Sequence, residues 1–253
     1  MAKLYNRSQP LLIAHRGAPV HAPENTFASF QLALDCGADI LETDLWFSKD
    51  GVIMCHHDRT VDRVTNGSGA IPEMSLDKIK MLRVKRSYCG QFDEDKYPNE
   101  EIPTLQELLD FVPADTGLAL ELKDPLFSEP ERAAQLIDIV RPRIEAGTLM
   151  LLSFDTSLLW VAREVEPSVW IGELSEFNPN PTFGGNGVAT SWLAMKSNPH
   201  YIKIARQHNL WVCPLDPMPE DRLSWYLDIG VDALLTDHPD VTRAALARLE
   251  QQQ

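Results

Sequence analysis

The sequence predicts a (β/α)8 TIM barrel, and three observations carry that expectation. Short β-branched or aliphatic runs alternate with longer amphipathic stretches, eight such runs fit within 253 residues, and no linker or internal repeat divides the chain. A doubly wound open sheet is the alternative, but no G-x-G-x-x-G follows the first run. The expected organisation is one α/β domain over 1–253, with a small insertion at roughly 58–102 lying over the active-site face.

The strand candidates are 11–16, 40–46, 52–57, 118–123, 149–154, 169–174, 210–215 and 233–236. A first helix holds Phe27, Phe30, Leu32 and Leu34 and stops at Cys36-Gly37. Further helices fit 75–82, 104–111, 129–144, 155–165, 199–207, 221–229 and 241–250. Two places break the rhythm. Phe47-Ser48-Lys49-Asp50-Gly51 is too short for a helix, so a tight Asp-Gly turn either joins two barrel strands or folds the second run back as a hairpin. The polar and aromatic stretch 83–102, with Tyr88, Phe92 and Tyr97, reads as an excursion over a barrel face. The glycine-rich loop 177–191 lacks the lysine of a phosphate-binding loop and reads as a flexible part of the pocket rim.

Composition narrows the function classes. Hydrophobic residues at 44% and charged residues at 24% describe an ordinary globular chain, while 37 acidic against 23 basic residues leave a charge of −14 that opposes nucleic acid and anionic membranes. No apolar run approaches the ~20 residues of a membrane span, and residues 1–10 carry no signal-peptide pattern. Cys36, Cys55, Cys89 and Cys213 show neither zinc-ribbon nor disulfide spacing. The expected location is the cytoplasm; the oligomeric state is not legible.

Barrel chemistry gathers at the C-terminal ends of the strands. The first strand ends in Ala14-His15-Arg16-Gly17, the second carries Glu42-Thr43-Asp44, the third ends in His56-His57-Asp58 and the fourth in Glu121-Leu122-Lys123. Alternation puts Glu42 and Asp44 on one face, and Glu121 and Lys123 on one face. A barrel interior is normally aliphatic, so Glu42, Asp44 and Glu121 facing inward together need a cation; an all-oxygen set suits Mg2+ or Ca2+, with Mn2+ as a further candidate, better than Zn2+. Simple pairing of these carboxylates with Arg16 and Lys123 is the structural alternative. His15 and His57 at two strand ends supply the base and the acid that substitution at phosphorus requires. His56, of opposite parity, reads as a residue that supports the site from behind or as a structural one. Arg16 and Lys123 provide a grip for a phosphoryl group against the negative field of the chain.

These segments, with Pro23-Glu24-Asn25-Thr26, Ala38-Asp39-Ile40-Leu41, Lys49-Asp50-Gly51, Ile102-Pro103-Thr104-Leu105, Gly230-Val231-Asp232 and Thr236-Asp237, resemble the glycerophosphodiester phosphodiesterases, relatives of phosphatidylinositol-specific phospholipase C on a TIM barrel. They occur in the family's order from the first strand to the eighth. The resemblance implies Glu42, Asp44 and Glu121 as ligands of a divalent metal, His15 and His57 as general acid and base, and Arg16 and Lys123 at the phosphate. It implies cleavage of a small-molecule glycerophosphodiester to an alcohol and sn-glycerol 3-phosphate, within lipid and glycerol metabolism. Glu24 and Asn25 would lie at the cavity mouth, or else serve as helix caps. One segment departs from the pattern: an aromatic-Thr-Val-Asn sequence is usual at the seventh strand, and here Val212-Cys213-Pro214-Leu215-Asp216 stands instead. Trp192, Trp211 and Met218 are candidates for the missing bulk. Alternatives are a phospholipase D-like or lysophospholipase activity, disfavoured because the polar, anionic balance offers no obvious apolar surface, a non-catalytic binder of phosphorylated ligands, and a sugar isomerase barrel.

Overall fold

The computed structural model describes residues 9–90 and 92–251. Residues 1–8, on which most of the expectation about a targeting segment rests, lie outside the described residues. The strands are β1 (Leu11–Ala14), β2 (Ile40–Phe47), β3 (Ile53–Cys55), β4 (Gly117–Leu122), β5 (Leu149–Ser153), β6 (Ile171–Ser175), β7 (Gly187–Thr190), β8 (Trp211–Pro214) and β9 (Ala233–Thr236). The helices are α1 (Phe27–Asp35), α2 (Leu76–Lys80), α3 (Leu105–Phe111), α4 (Pro130–Ala146), α5 (Thr156–Val165), α6 (Trp192–Ser197), α7 (Tyr201–Gln207), α8 (Leu223–Ile229) and α9 (Pro239–Glu250).

Eight of these strands form a parallel barrel in the order β8-β7-β6-β5-β4-β2-β1-β9. It comes close to closing between β8 and β9, where Asp232 N–H donates to the Val212 carbonyl (2.9 Å) and the Asp232 carboxylate accepts from Val212 N–H (2.6 Å). The architecture is the expected TIM barrel, with two corrections to its membership. The run 52–57 is not a barrel strand: β3 pairs antiparallel with β2, Leu45 opposite Cys55 and Phe47 opposite Ile53, because the turn between them is far shorter than a parallel crossover requires. The eighth barrel strand is instead β7, inside the stretch expected to be a flexible loop, paired parallel to both β6 and β8. The helix α6 follows it and was also not expected.

Side-chain alternation separates two cores. Leu12, Val188, Val212 and Leu234 face the surrounding helices, while Ile13, Ile40, Ala119, Met150, Trp170, Trp211 and Leu235 fill the barrel interior. Trp170 and Trp211 meet edge to face there, ring centres 5.7 Å apart. A Cβ at Gly187 would lie within 2.8 Å of the Trp170 ring, so the two tryptophans leave room only for small residues at the start of β7. That is why β7 reads as Gly-Val-Ala-Thr and resembles a loop. Trp211 thus fills the barrel itself, whereas Trp192 sits against Lys196 and Arg222, and Met218 is exposed.

Local signals set several boundaries. Thr26 caps α1, Thr104 and Glu107 form a reciprocal capping box on α3, and Gly37, at φ +77°, allows the left-handed exit after α1. Between β3 and α3 the chain covers Met54 with Val61, Val64, Ile71, Ile79, Val84 and Ile102, a small core of its own beside the barrel. Among the described residues no helix is long and apolar enough to cross a membrane.

Candidate functional site

The register of β2 against β4 sets Asp44 directly beside Glu121, and Glu42 lies two residues earlier on the same inward face. One carboxylate oxygen from each of the three falls within 4.8 Å of the others, and all three residues are buried. Burial and the neighbouring Asp44 and Glu121 charges push Glu42 well above the usual carboxylate range, and burial with Asp44 pushes Glu121 up to about 7. Burial opposes ionisation of Asp44 too, but Arg16, Lys123 and both histidines bring it down to about 2. Asp44 Oδ1 makes no hydrogen bond; Lys123 Nζ stands 3.4 Å away, an ion-pair distance without hydrogen-bond geometry. Three crowded carboxylates, one buried oxygen left without a donor and an all-oxygen set fit a hard divalent cation.

The cations of the site are tied to this cluster. Arg16 follows β1 at φ +56°, a sparsely populated conformation for a non-glycine residue, and its N–H donates to Glu42 Oε2 (2.9 Å). Its guanidinium donates to Glu24 (3.0 Å), lies 3.7 Å from Asp44 and stacks 4.6 Å over the Tyr88 ring. Lys123, just past β4, donates to Glu121 (2.8 Å) and also reaches His57 Nε2 (3.2 Å). Burial works against both cations, yet the surrounding carboxylates keep both raised and charged.

His15 and His57 line the same cavity, of about 230 Å3, with Arg16, Glu42, Glu121 and Lys123. Each imidazole is oriented through Nδ1: His15 by Asp237 (2.8 Å) and His57 by Asp58 (2.6 Å). A carboxylate only accepts, so the proton sits on Nδ1 of each ring; the Nε2 lone pair of His15 is left for chemistry, while that of His57 accepts from Lys123 (3.2 Å). Tyr88 donates to the other oxygen of Asp237 and lies 3.2 Å from His15 Nδ1. Burial lowers His57, with Arg16 and Lys123 adding to the effect. His56 is buried and bonded to the Thr60 carbonyl at 3.2 Å, which favours the structural of its two expected roles.

Six of the seven expected site residues line one pocket and the seventh, Asp44, is buried behind it beside Glu42 and Glu121, although His57 arrives after the β3 hairpin strand and not on a barrel strand. Glu24 and Asn25 are not caps, since Thr26 has that task. Asn25 donates to Asp44 (3.3 Å) and accepts from Thr43 (2.7 Å). Glu24 accepts from Arg16, from Arg63 (2.8 and 2.9 Å) and from Tyr88 N–H (2.6 Å). Arg63, which nothing in the sequence singles out, also donates to Asp58 (2.6 Å) and so holds the partner of His57 and the partner of Arg16 with one guanidinium. Asp237 follows the last barrel strand, and applying the strand-end rule there would have found its role; Arg63 and Tyr88 lie where no periodicity points.

The other wall of the cavity is apolar: Leu152, Phe154, Leu174, Leu215, Pro217 and Leu235. At the departing segment, Leu215 lines this wall, whereas Asp216 turns away to Arg222 (2.6 Å) and Tyr226 (2.6 Å).

The profile of the glycerophosphoryl diester phosphodiesterase family matches residues 15–241. A glycerophosphodiester phosphodiesterase of Caldanaerobacter subterraneus is 29% identical over 244 residues, covering 91% of this chain and 95% of that protein. The structure of an Oleispira antarctica phosphodiesterase, solved in complex with its product sn-glycerol-3-phosphate, superposes with a TM-score of 0.81 at 25% identity, covering 94% of this chain and 97% of that one. A glycerophosphodiester phosphodiesterase structure from Agrobacterium tumefaciens gives 0.77 at 26% identity, covering 93% and 100%.

Proposed function

The chain belongs to the glycerophosphoryl diester phosphodiesterase family, and on that premise we propose that it is a metal-dependent phosphoric diester hydrolase that cleaves glycerophosphodiesters to an alcohol and sn-glycerol 3-phosphate. The observation that carries the proposal is the convergence of two carboxylate-oriented imidazoles and two cations on a buried carboxylate trio that includes an unbonded Asp44 oxygen.

Glu42, Asp44 and Glu121 would hold Mg2+, Ca2+ or Mn2+, which supplies charge against the phosphoryl oxygens and lowers the pKa of the attacking hydroxyl. Arg16 and Lys123 grip the phosphodiester and stabilise the charge that develops on its oxygens. One of His15 and His57 takes the proton of the attacking hydroxyl as its oxygen bonds to phosphorus. The other gives a proton to the departing alkoxide as the bond from phosphorus to the alcohol oxygen breaks. Attack by water gives sn-glycerol 3-phosphate directly, whereas attack by the glycerol 2-hydroxyl gives a cyclic phosphate that a water molecule then opens, with the two histidines exchanging roles. Asp237 and Asp58 keep the two rings in the working tautomer and stabilise them when charged. Four free cysteines accord with a reducing, cytoplasmic setting.

A second reading, of lysophospholipase or phospholipase D-like type, gains support from the apolar wall opposite the charges, because overall charge says nothing about the lining of one pocket. Both readings are tested by measuring release of glycerol 3-phosphate, of a lysophosphatidic product or of a free fatty acid from a panel of diesters. Metal-stripped protein is assayed before and after addition of Mg2+, Mn2+ or Ca2+, beside His15→Ala and Glu121→Ala. Turnover that requires the metal and disappears in both variants supports the proposal. Tight metal binding with no turnover on any diester overturns it in favour of a binding protein.

A further inference from the structure

A second cluster of metal-ligating side chains lies outside the catalytic pocket. His21, in the loop between β1 and α1, meets His238 and Asp240 at the start of α9, and one ligand atom from each falls within 4.8 Å of the others. His21 Nε2 is 3.2 Å from Asp240 Oδ1, and the two imidazole rings stand perpendicular with centres 6.1 Å apart. His21 and Asp240 are exposed and His238 is half-buried, so solvent and ions reach the cluster. His21 and Asp240 also border an open cavity of about 510 Å3 with Cys36, Phe92 and Tyr97. Burial and the nearby Asp240 and Asp35 charges raise the Cys36 thiol, which leaves two nitrogens and one oxygen as the donor set.

We propose that His21, His238 and Asp240 form a second metal site, selective for a borderline transition cation such as Zn2+ or Ni2+, with water completing its coordination. Two imidazole nitrogens and a carboxylate oxygen favour such ions over Mg2+ or Ca2+, the reverse of the preference of the all-oxygen trio. Two sites of different hardness on one chain therefore sort different metals. The position gives the second site a mechanical consequence. His21 lies six residues beyond His15, and His238 directly follows Asp237, the acceptor of His15 Nδ1. An ion bound there staples together the two segments that carry the His15–Asp237 pair.

The test is calorimetric titration of Zn2+ into full-length protein held in saturating Mg2+, comparing the wild type with His21→Ala and His238→Ala, followed by thermal unfolding. Mg2+-supported turnover of His21→Ala, a residue outside the catalytic pocket, reports that the variant is folded. The expected result is one more Zn2+ per wild-type chain than per variant chain, or an affinity lower by about tenfold or more in the variants, together with a Zn2+-dependent rise in Tm confined to the wild type. Equal Zn2+ stoichiometry and affinity in all three proteins overturns the proposal. Loss of all Zn2+ binding when Mg2+ is raised also overturns it, because the ion would then be competing for the carboxylate trio.

Discussion

The half of the barrel formed by β1, β2 and β4, with the β3 hairpin, holds Arg16, Glu42, Asp44, Glu121, Lys123 and both catalytic-candidate histidines, whereas the half formed by β5 to β8 presents Leu152, Phe154, Leu174 and Leu215 above a floor of Trp170 and Trp211. The same strand geometry serves opposite ends. On the first side, buried charges crowd one another and hold their partners by short hydrogen bonds, so each residue type is dictated by chemistry. On the second side, volume and apolarity are enough, and many side chains satisfy them. The difference predicts that substitutions in the first half abolish turnover on every substrate, while those in the second half alter stability or substrate choice.

The largest effect is expected from His15→Ala, which should lower kcat by about 10²–10⁴-fold with an unchanged Tm; a loss smaller than tenfold, measured by steady-state kinetics, would break the assignment of chemistry to the first half. Next is Arg63→Ala. It frees both Asp58 and Glu24, and a fall in kcat/KM of about 10–100-fold is expected while metal affinity measured by titration stays constant. Arg63→Lys should not restore the rate, because one ammonium cannot hold two carboxylates in the forked geometry. In the second half, Gly187→Ala drives a methyl group towards the Trp170 ring and should cost about 1–3 kcal/mol in denaturant unfolding, with little change in kcat at low temperature. The smallest effect is expected from Phe154→Ala, which should raise KM about tenfold for diesters with a bulky apolar substituent and leave kcat nearly intact.

The same contrast explains what was legible in the sequence. Glu42, Asp44, Glu121 and Lys123 stand out because charged residues inside a barrel strand have few structural explanations, and strand parity alone brings them together. The path of β7 was hidden because Gly187 and Ala189 are small to accommodate Trp170 and Trp211, whose positions are a property of the packed barrel and not of any local window. The third run stays open in the sequence between a barrel strand and a hairpin for a related reason: an apolar run such as Ile53–Cys55 satisfies both equally, and the structure takes the hairpin, in keeping with the short turn before it. Arg63 is not singled out by the sequence, and Tyr88 reads there only as part of an excursion over a barrel face, because long-range hydrogen bonds to Glu24, Asp58 and Asp237 leave no periodic trace.

The most direct test of this division is a side-by-side determination of kcat/KM for Glu42→Gln and Phe154→Ala on two diesters that differ only in the size of the apolar substituent. Glu42→Gln should lose activity on both in equal proportion, leaving the ratio between substrates unchanged, while Phe154→Ala should change that ratio and keep kcat. A Glu42→Gln enzyme with altered preference and sustained turnover, or a Phe154→Ala enzyme equally impaired on both diesters, would contradict the account.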